Sequence, residues 1–78
     1  MKFGEAIFNR ITDLANKDGS TLSQLAIKSG MTPSTLYDIK SKKVNLPSLL
    51  SVKRICDGLG ITLSKFFDTE DINTSDFE

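Results

Sequence analysis

The sequence predicts an all-α fold, a compact domain of five short helices followed by an acidic tail. Apolar residues recur at intervals of three and four along most of the chain, which is the spacing of one helical face. No stretch alternates apolar and polar residues over a useful length, so no β-strand is predicted. Capping residues and glycines divide the periodic pattern into five segments.

The first helix is predicted from residue 3 to about residue 17. Its inward positions follow helical spacing: Phe3, Ile7, Ile11, Leu14 and Ala15. A polar turn at residues 18–20 (Asp-Gly-Ser) then separates it from the second helix.

The second helix is predicted to begin at Thr21 and to end just before Gly30. Thr21 and Gln24 have the spacing of a capping box, in which each side chain bonds the other's free backbone amide. Gly30 accepts the left-handed backbone conformation that ends many helices. Thr32 then provides a new N-cap, and Pro33 occupies the first helical position, where its missing N–H costs nothing.

The third helix is predicted from Pro33 to about Lys40, with Leu36 and Ile39 turned inward. So few residues separate it from the second helix that the two cannot pack antiparallel and must cross steeply. This arrangement is a helix-turn-helix, and the small side chain of Ala26 permits the close approach of the two helices.

Two further helices are predicted after a polar, basic loop. Ser48 caps the fourth helix, and Gly58 and Gly60 mark its end. Its inward residues are Leu49, Val52, Ile55, Cys56 and Leu59. Thr62 caps a short fifth helix, in which the apolar residues are Leu63, Phe66 and Phe67.

Several of these residues occur together in a known family. They are the Leu25-Ala26 pair, Gly30, Thr32, the helix 33–40, Pro47-Ser48, and the closing stretch from Leu59-Gly60-Ile61 to Phe66-Phe67-Asp68. In this pattern, residues 4–68 resemble the helix-turn-helix family of phage repressors, Cro proteins and their bacterial relatives. The resemblance implies a repressor-like fold that binds a double-stranded DNA operator as a homodimer. It also implies a regulator of transcription in the cytoplasm, encoded by a bacterium or a phage.

One face of the third helix is the candidate surface for contacting DNA bases. With Leu36 turned inward, a helical wheel places four residues on the opposite side: Ser34, Tyr37, Asp38 and Ser41. Hydroxyl and carboxylate groups can hydrogen-bond base edges, and a Tyr side chain can pack on a thymine methyl or bond a phosphate. The alternative is a helix face that contacts only solvent.

The resemblance adds detail to this face. Family members contact bases from the start and middle of the helix, which corresponds here to Pro33, Ser34, Thr35 and Asp38. Together with Tyr37, these residues form the predicted base-contacting set. At the start of the second helix the family often has a glutamine that bonds DNA, whereas this chain has Leu22, which cannot.

Lysines and helix-terminal hydroxyls are the candidate contacts to DNA phosphates. Three lysines cluster at the end of the third helix, where by themselves they would indicate only a solvated loop. Backbone amides at the starts of the second and third helices are further anion sites. Asn45 either bonds a phosphate or holds the loop. The predicted phosphate-contacting set is Thr21, Ser23, Thr32, Lys40, Ser41, Lys42, Lys43 and Asn45.

The charges are distributed unevenly along the chain. The net charge is zero, with ten basic and ten acidic residues. The last ten positions contain no Lys or Arg but hold Glu70, Asp71, Asp76 and Glu78. Residues 1–68 therefore carry ten basic and six acidic groups, a net charge of +4. We predict a DNA-binding domain at residues 1–68 and a frayed acidic tail at residues 69–78.

The composition indicates no enzyme, no metal site and no cofactor. The chain contains no His and a single Cys, which excludes a His-based catalytic site and a CxxC zinc site. Cys56 is predicted to lie in the core, and the carboxylates outside the tail are scattered. No apolar run is long enough to span a membrane and no signal peptide is recognised, so a cytoplasmic protein is expected.

A surface for a dimer or another partner must be apolar and lie outside the core. Leu50 falls off the inward side of the fourth helix, and four apolar residues follow it along the chain: Phe66, Phe67, Ile72 and Phe77. One of the two adjacent phenylalanines is expected in the core, and the others either form this surface or pack on their own domain. An alternative function is a protein-interaction module on the same fold, an antitoxin or an anti-repressor, whose acidic tail binds a partner.

Overall fold

The computed structural model describes residues 1–40 and 47–76, with only the backbone of residues 39 and 40. These residues form α1 (Phe3–Asp18), α2 (Leu22–Lys28), α3 (Pro33–Lys40), α4 (Leu49–Leu59), α5 (Leu63–Phe67) and α6 (Glu70–Asn73). No strand occurs in this part of the chain. An isolated β-bridge pairs Lys2 with Asp76. The predicted all-α class is confirmed, and the five predicted helices correspond to α1–α5.

Helix α2 begins and ends at the predicted signals. The amide of Thr21 donates to Gln24 Oε1 at 2.9 Å, and the amide of Gln24 donates to Thr21 Oγ1 at 3.1 Å, which completes the capping box. Gly30 has a φ of 72°, and the amide of the next residue, Met31, donates to the Ala26 carbonyl at 2.9 Å. This left-handed turn redirects the chain into α3.

The core is built where α1 to α6 meet. Its largest fully buried side chains are Phe66, Ile11, Leu25, Leu36, Ile55 and Cys56. Burial raises the pKa of the Cys56 thiol, and the negative charge of the neighbouring Asp57 carboxylate raises it further by a smaller amount. Cys56 is fully buried, so it is a core residue as predicted, and the raised pKa keeps its thiol protonated.

Leu49 corrects one sequence prediction. It was expected on the inward side of the fourth helix, but its side chain is 68% exposed. Leu49 is the first residue of α4, and there it borders an open apolar groove instead of entering the core. The groove is lined by Phe3, Ile7, Pro47, Leu49, Val52 and Phe67.

The chain beyond residue 68, predicted to be a frayed tail, packs on α1 as far as Asp76. The Thr69 hydroxyl accepts a hydrogen bond from the Ile72 amide at 3.2 Å and thereby caps α6. Ile72 is only 6% exposed and belongs to the core. Further along, the Phe3 amide donates to the Asp76 carbonyl at 3.0 Å, and the Asp76 amide donates to the Met1 carbonyl at 2.8 Å.

Arg10 joins α1 to the end of α5. Its Nε donates to the Phe66 carbonyl at 2.9 Å, and its Nη2 donates to the Lys65 carbonyl at 2.8 Å. A guanidinium is well suited to carbonyl groups at the end of a helix, because those groups carry partial negative charge and have few partners within the helix. This basic residue therefore has a structural role inside the domain.

Gly58 lies inside α4, although the sequence analysis placed it at the end of that helix, and α4 approaches the end of α2 there. A β-carbon added at Gly58 would lie 2.6 Å from Ser29 Oγ and 3.2 Å from both the Lys28 carbonyl oxygen and Ser29 Cα. Two of these three neighbours are backbone atoms, so rotating a side chain cannot make enough room. The Ser29 hydroxyl is buried and has no hydrogen-bond partner among the residues that the structure describes.

We expect overpacking in Gly58→Ala to cost about 1–3 kcal/mol, of which roughly 1 kcal/mol is recovered through helix propensity, so the free energy of unfolding should fall by up to about 2 kcal/mol. Ser29→Ala removes an unsatisfied buried hydroxyl and is expected to be neutral or stabilising. Because it also removes the closest contact, the double variant should recover part of the loss. Denaturant unfolding of the four proteins measures these effects. A Gly58→Ala protein more stable than the wild type would contradict the close packing.

Candidate nucleic-acid interface

Helix α3 has one buried side and one exposed side. Leu36 is fully buried against the rest of the core, as predicted, whereas the side chain of Ile39 lies outside the described residues. Ser34 is exposed, and the Tyr37 side chain is 45% exposed. Asp38 is half-buried. The face that the sequence analysis assigned to base contacts is therefore accessible at Ser34 and Tyr37.

Hydroxyl groups cluster at the beginning of α3. Thr32 immediately precedes the helix, and its Oγ1 lies 3.1 Å from Ser34 Oγ and 3.1 Å from Thr35 Oγ1. The Thr35 amide donates to the Thr32 carbonyl at 3.1 Å. Pro33, the first residue of α3, is half-buried beside them. The start of α3 thus presents small polar groups that can both donate and accept hydrogen bonds.

A side-chain contact connects α3 to the first turn of α2. The Tyr37 hydroxyl lies 3.3 Å from Ser23 Oγ, although the two residues are 14 positions apart in the sequence. Sequence reasoning assigned Tyr37 to base contacts and Ser23 to phosphate contacts, and it did not anticipate that they meet. No short-range pattern reports this contact, because it depends on the crossing angle of the two helices.

The predicted phosphate contacts divide into those that the structure describes and those that it does not. Thr21, Ser23 and Thr32 lie at the starts of α2 and α3, on the segments that carry the exposed hydroxyls. The Thr21 hydroxyl already accepts the Gln24 amide in the capping box. The remaining candidates lie outside the described residues: Ser41, Lys42, Lys43 and Asn45, together with the side chain of Lys40. Their phosphate contacts stay predictions.

Two lysines elsewhere in the domain form ion pairs. Lys28 Nζ lies 2.8 Å from Asp18 Oδ2, and Lys53 Nζ lies 2.7 Å from Asp57 Oδ1. The hydrogen bond from Lys28, with a second one from Ser20, lowers the pKa of Asp18. A carboxylate with a lowered pKa stabilises the folded state above its ordinary pKa, and this stabilisation is lost as the pH falls. These pairs support the fold and leave Lys28 and Lys53 less available to DNA.

The predicted dimer or partner surface is only partly exposed. Leu50 is 60% exposed, and Phe67 is half-buried with its ring 5.1 Å from the Phe66 ring. Phe66 and Ile72 are core residues. Phe66 is the member of the phenylalanine pair that belongs to the core, and Ile72 packs on its own domain, so neither contributes to this surface. Phe77 lies outside the described residues. What remains of the surface is Leu50 together with Leu49 and the apolar groove beside it.

Other kinds of site find no support in the described part of the chain. Within residues 1–40 and 47–76, no three His, Cys, Asp or Glu residues lie close enough to hold a metal ion. Among the same residues, no helix combines the length and the apolar character needed to cross a membrane.

Comparison with known proteins agrees with the geometry of α2 and α3. A family model described as a Cro/C1-type helix-turn-helix DNA-binding domain matches residues 10–71, which is most of the chain. The match begins within α1, contains the whole of α2 to α5 and ends within α6. Neither a search of curated proteins nor a search of solved structures gave a match.

Proposed function

Because the chain belongs to the Cro/C1-type helix-turn-helix DNA-binding family, we propose that it is a sequence-specific transcriptional regulator of the repressor/Cro type. In this proposal α3 enters the major groove of a double-stranded operator. The observation that carries it is the two-sided character of α3, in which Leu36 is fully buried while Ser34 and Tyr37 are exposed.

The dimensions of α3 suit this role. An α-helix with its side chains is about 10–12 Å across, and the major groove of B-DNA is about 12 Å wide. Small polar residues at the start of α3 let its backbone approach the base edges, where Ser34 and Thr35 can donate or accept hydrogen bonds. Asp38, one turn beyond Ser34, can accept a hydrogen bond from cytosine N4.

Contacts to the DNA backbone complete the proposed interface. Lys40 is the last residue of α3, and Lys42 and Lys43 follow it closely in the sequence, where their charges can neutralise phosphates. Because residues 69–76 pack on the domain, its overall charge is close to neutral, and the local cluster of lysines at the end of α3 supplies the attraction to DNA. Thr21, Ser23 and Thr32 add hydroxyl groups at the starts of α2 and α3.

We further propose that the protein binds its operator as a homodimer. Dimers of such domains place two recognition helices about one DNA turn apart, which doubles the contact with a palindromic site. Leu49, which lines the apolar groove, and Leu50 are both exposed, and they supply the apolar surface that a second copy requires.

The test is selection of duplexes from a randomised pool by the full chain, followed by titration of the selected duplex at several salt concentrations. We expect a preferred sequence with two-fold symmetry and half-sites about 34 Å apart. Affinity should fall with a slope of about −0.9 in log K against log salt for each phosphate neutralised. Binding without any sequence preference at low salt would contradict the proposal, whereas a preferred site without symmetry would contradict only the homodimer.

The protein-interaction alternative gains nothing from the described tail. Ile72 is buried in the core, and the backbone of Asp76 bonds Met1 and Phe3, so residues 69–76 are engaged within their own domain.

A further inference from the structure

We propose that the hydroxyl groups of Ser23 and Tyr37 together hold one phosphate of the DNA backbone, so that Tyr37 orients α3 in the groove and reads no base. The inference rests on the function proposed above. It moves Tyr37 from the predicted base-contacting residues to the phosphate-contacting residues, and it makes Ser23 part of the same phosphate contact.

The first argument is the direction in which the Tyr37 side chain points. Its hydroxyl reaches sideways to Ser23 in the first turn of α2, at 3.3 Å, so the phenol lies along the flank of α3. A helix about as wide as the groove touches base edges with the centre of its exposed face and touches the groove walls with its flanks. Those walls are the phosphate backbones. Ser34 lies near the centre of the face, whereas Tyr37 lies towards the wall on the α2 side.

The second argument is the hydrogen-bonding capacity of the pair. Each hydroxyl group has one proton to donate. The contact between them uses one of the two protons, and at 3.3 Å it is longer than the usual O–H···O distance of about 2.7–2.8 Å. One proton therefore remains available to an acceptor that approaches both oxygens. An anionic phosphate oxygen is the acceptor that strengthens such a bond most, because hydrogen bonds to charged oxygens are shorter and stronger than neutral ones.

The third argument is the lack of acidic residues in the first turns of α2 and α3; the acidic residue next to the pair in the sequence is Asp38, which follows Tyr37 and is half-buried. The first turns of α2 and α3 contain no acidic residue, whereas the first turns of α1 and α6 do. At the start of α2, the side chain of Leu22 has no hydrogen-bonding group. The Ser23–Tyr37 pair provides a polar contact next to this apolar position.

The experiment compares Tyr37→Phe and Ser23→Ala in the full chain, using the selected duplex and duplexes changed at one base pair each. We expect each variant to bind about tenfold more weakly to every duplex alike. The ratio of affinities among the duplexes should not change, and neither should the salt slope, because a neutral hydroxyl releases no counterion. The double variant should lose little more than either single variant, because both act on one phosphate.

Duplexes in which single phosphates are replaced by neutral methylphosphonates locate the contact directly. At one backbone position in each half-site, the methylphosphonate replacement should weaken binding of the wild type but leave binding of Tyr37→Phe unchanged. An altered base preference in Tyr37→Phe would overturn the inference in favour of base contact. Unchanged affinity in Ser23→Ala and Tyr37→Phe would also overturn it, and so would an affinity loss that tracks a lowered thermal midpoint in both variants. Failure of the wild type to bind any duplex would overturn the proposed function as well.

Discussion

Replacing Ile72 with alanine is expected to lower the free energy of unfolding by about 2–5 kcal/mol, the usual range for removing a large aliphatic side chain from a core. Ile72 is 6% exposed and packs with the core from α6, a helix of only four residues. A helix this short is not stable by itself, so its position depends on that burial. For a domain of this size such a loss corresponds to a fall of roughly 10–20 °C or more in the midpoint of thermal unfolding.

Asp71→Ala is the matched control for this prediction. Asp71 precedes Ile72 in the same helix and is exposed, so its replacement should cost less than about 1 kcal/mol. Thermal and denaturant unfolding of both variants measures the difference. If Ile72→Ala and Asp71→Ala were equally mild, the last helix would not be part of the core.

The burial of Ile72 also decides how the function of the tail can be tested. Deleting residues 69–78 would remove Ile72 and the backbone bonds of Asp76 along with the acidic charges. We expect the deletion to destabilise the whole domain, so a loss of DNA or partner binding would carry no information about the tail. Charge-neutralising replacements at exposed positions, such as Asp71→Asn, test the acidic character without disturbing the core.

Signals confined to a few residues predicted most of the fold. The capping box of Thr21 and Gln24 and the left-handed turn at Gly30 lie where the sequence placed them. Such features depend on backbone groups within one turn of the residue concerned, so the local sequence is sufficient to predict them. The inward position of Leu36 followed from the helical period for the same reason.

Features that depend on long-range packing were missed or misplaced. Arg10 bonds carbonyl groups 55 and 56 residues away, and no local pattern indicates that pairing. Helix α6 did have a start signal, a Thr69 cap followed by two acidic residues, but its four residues and polar character concealed it. Leu49 fits the helical period of α4 but is exposed, because it is the first residue of that helix and lies beyond the edge of the core.

The candidate site was predictable in its position but not in its internal contacts. The sequence located the exposed face of α3 from its buried residues and the resemblance to known proteins. It could not indicate that Tyr37 turns towards Ser23, because the direction of a side chain at the edge of a helix depends on the neighbouring helix. That contact shows that Tyr37 lies on the flank of α3, whereas Ser34 lies at the centre of its exposed face. Replacement of Ser34 should therefore affect DNA binding most.

Ser34→Glu is expected to weaken binding to the selected duplex on the order of a hundredfold, through loss of a base contact and repulsion between the new carboxylate and the DNA. Ser34 is exposed and is the second residue of α3, close to its N-terminus. A negative charge at this position favours the helix, so the stability of the protein should be unchanged or slightly raised. Affinity and stability are therefore expected to move in opposite directions, which separates a binding defect from unfolding.

Ser64→Glu provides a matched control within the same chain. Ser64 is also exposed and is also the second residue of a helix that a Thr precedes, in this case α5. The two variants carry the same change in net charge, so general repulsion from DNA should lower the affinity of both by a similar, small factor, about twofold at moderate salt. Titrations by fluorescence anisotropy, with unfolding curves for each variant, measure the two effects. Equal losses in Ser34→Glu and Ser64→Glu would show that the outer face of α3 is not the surface that meets the bases.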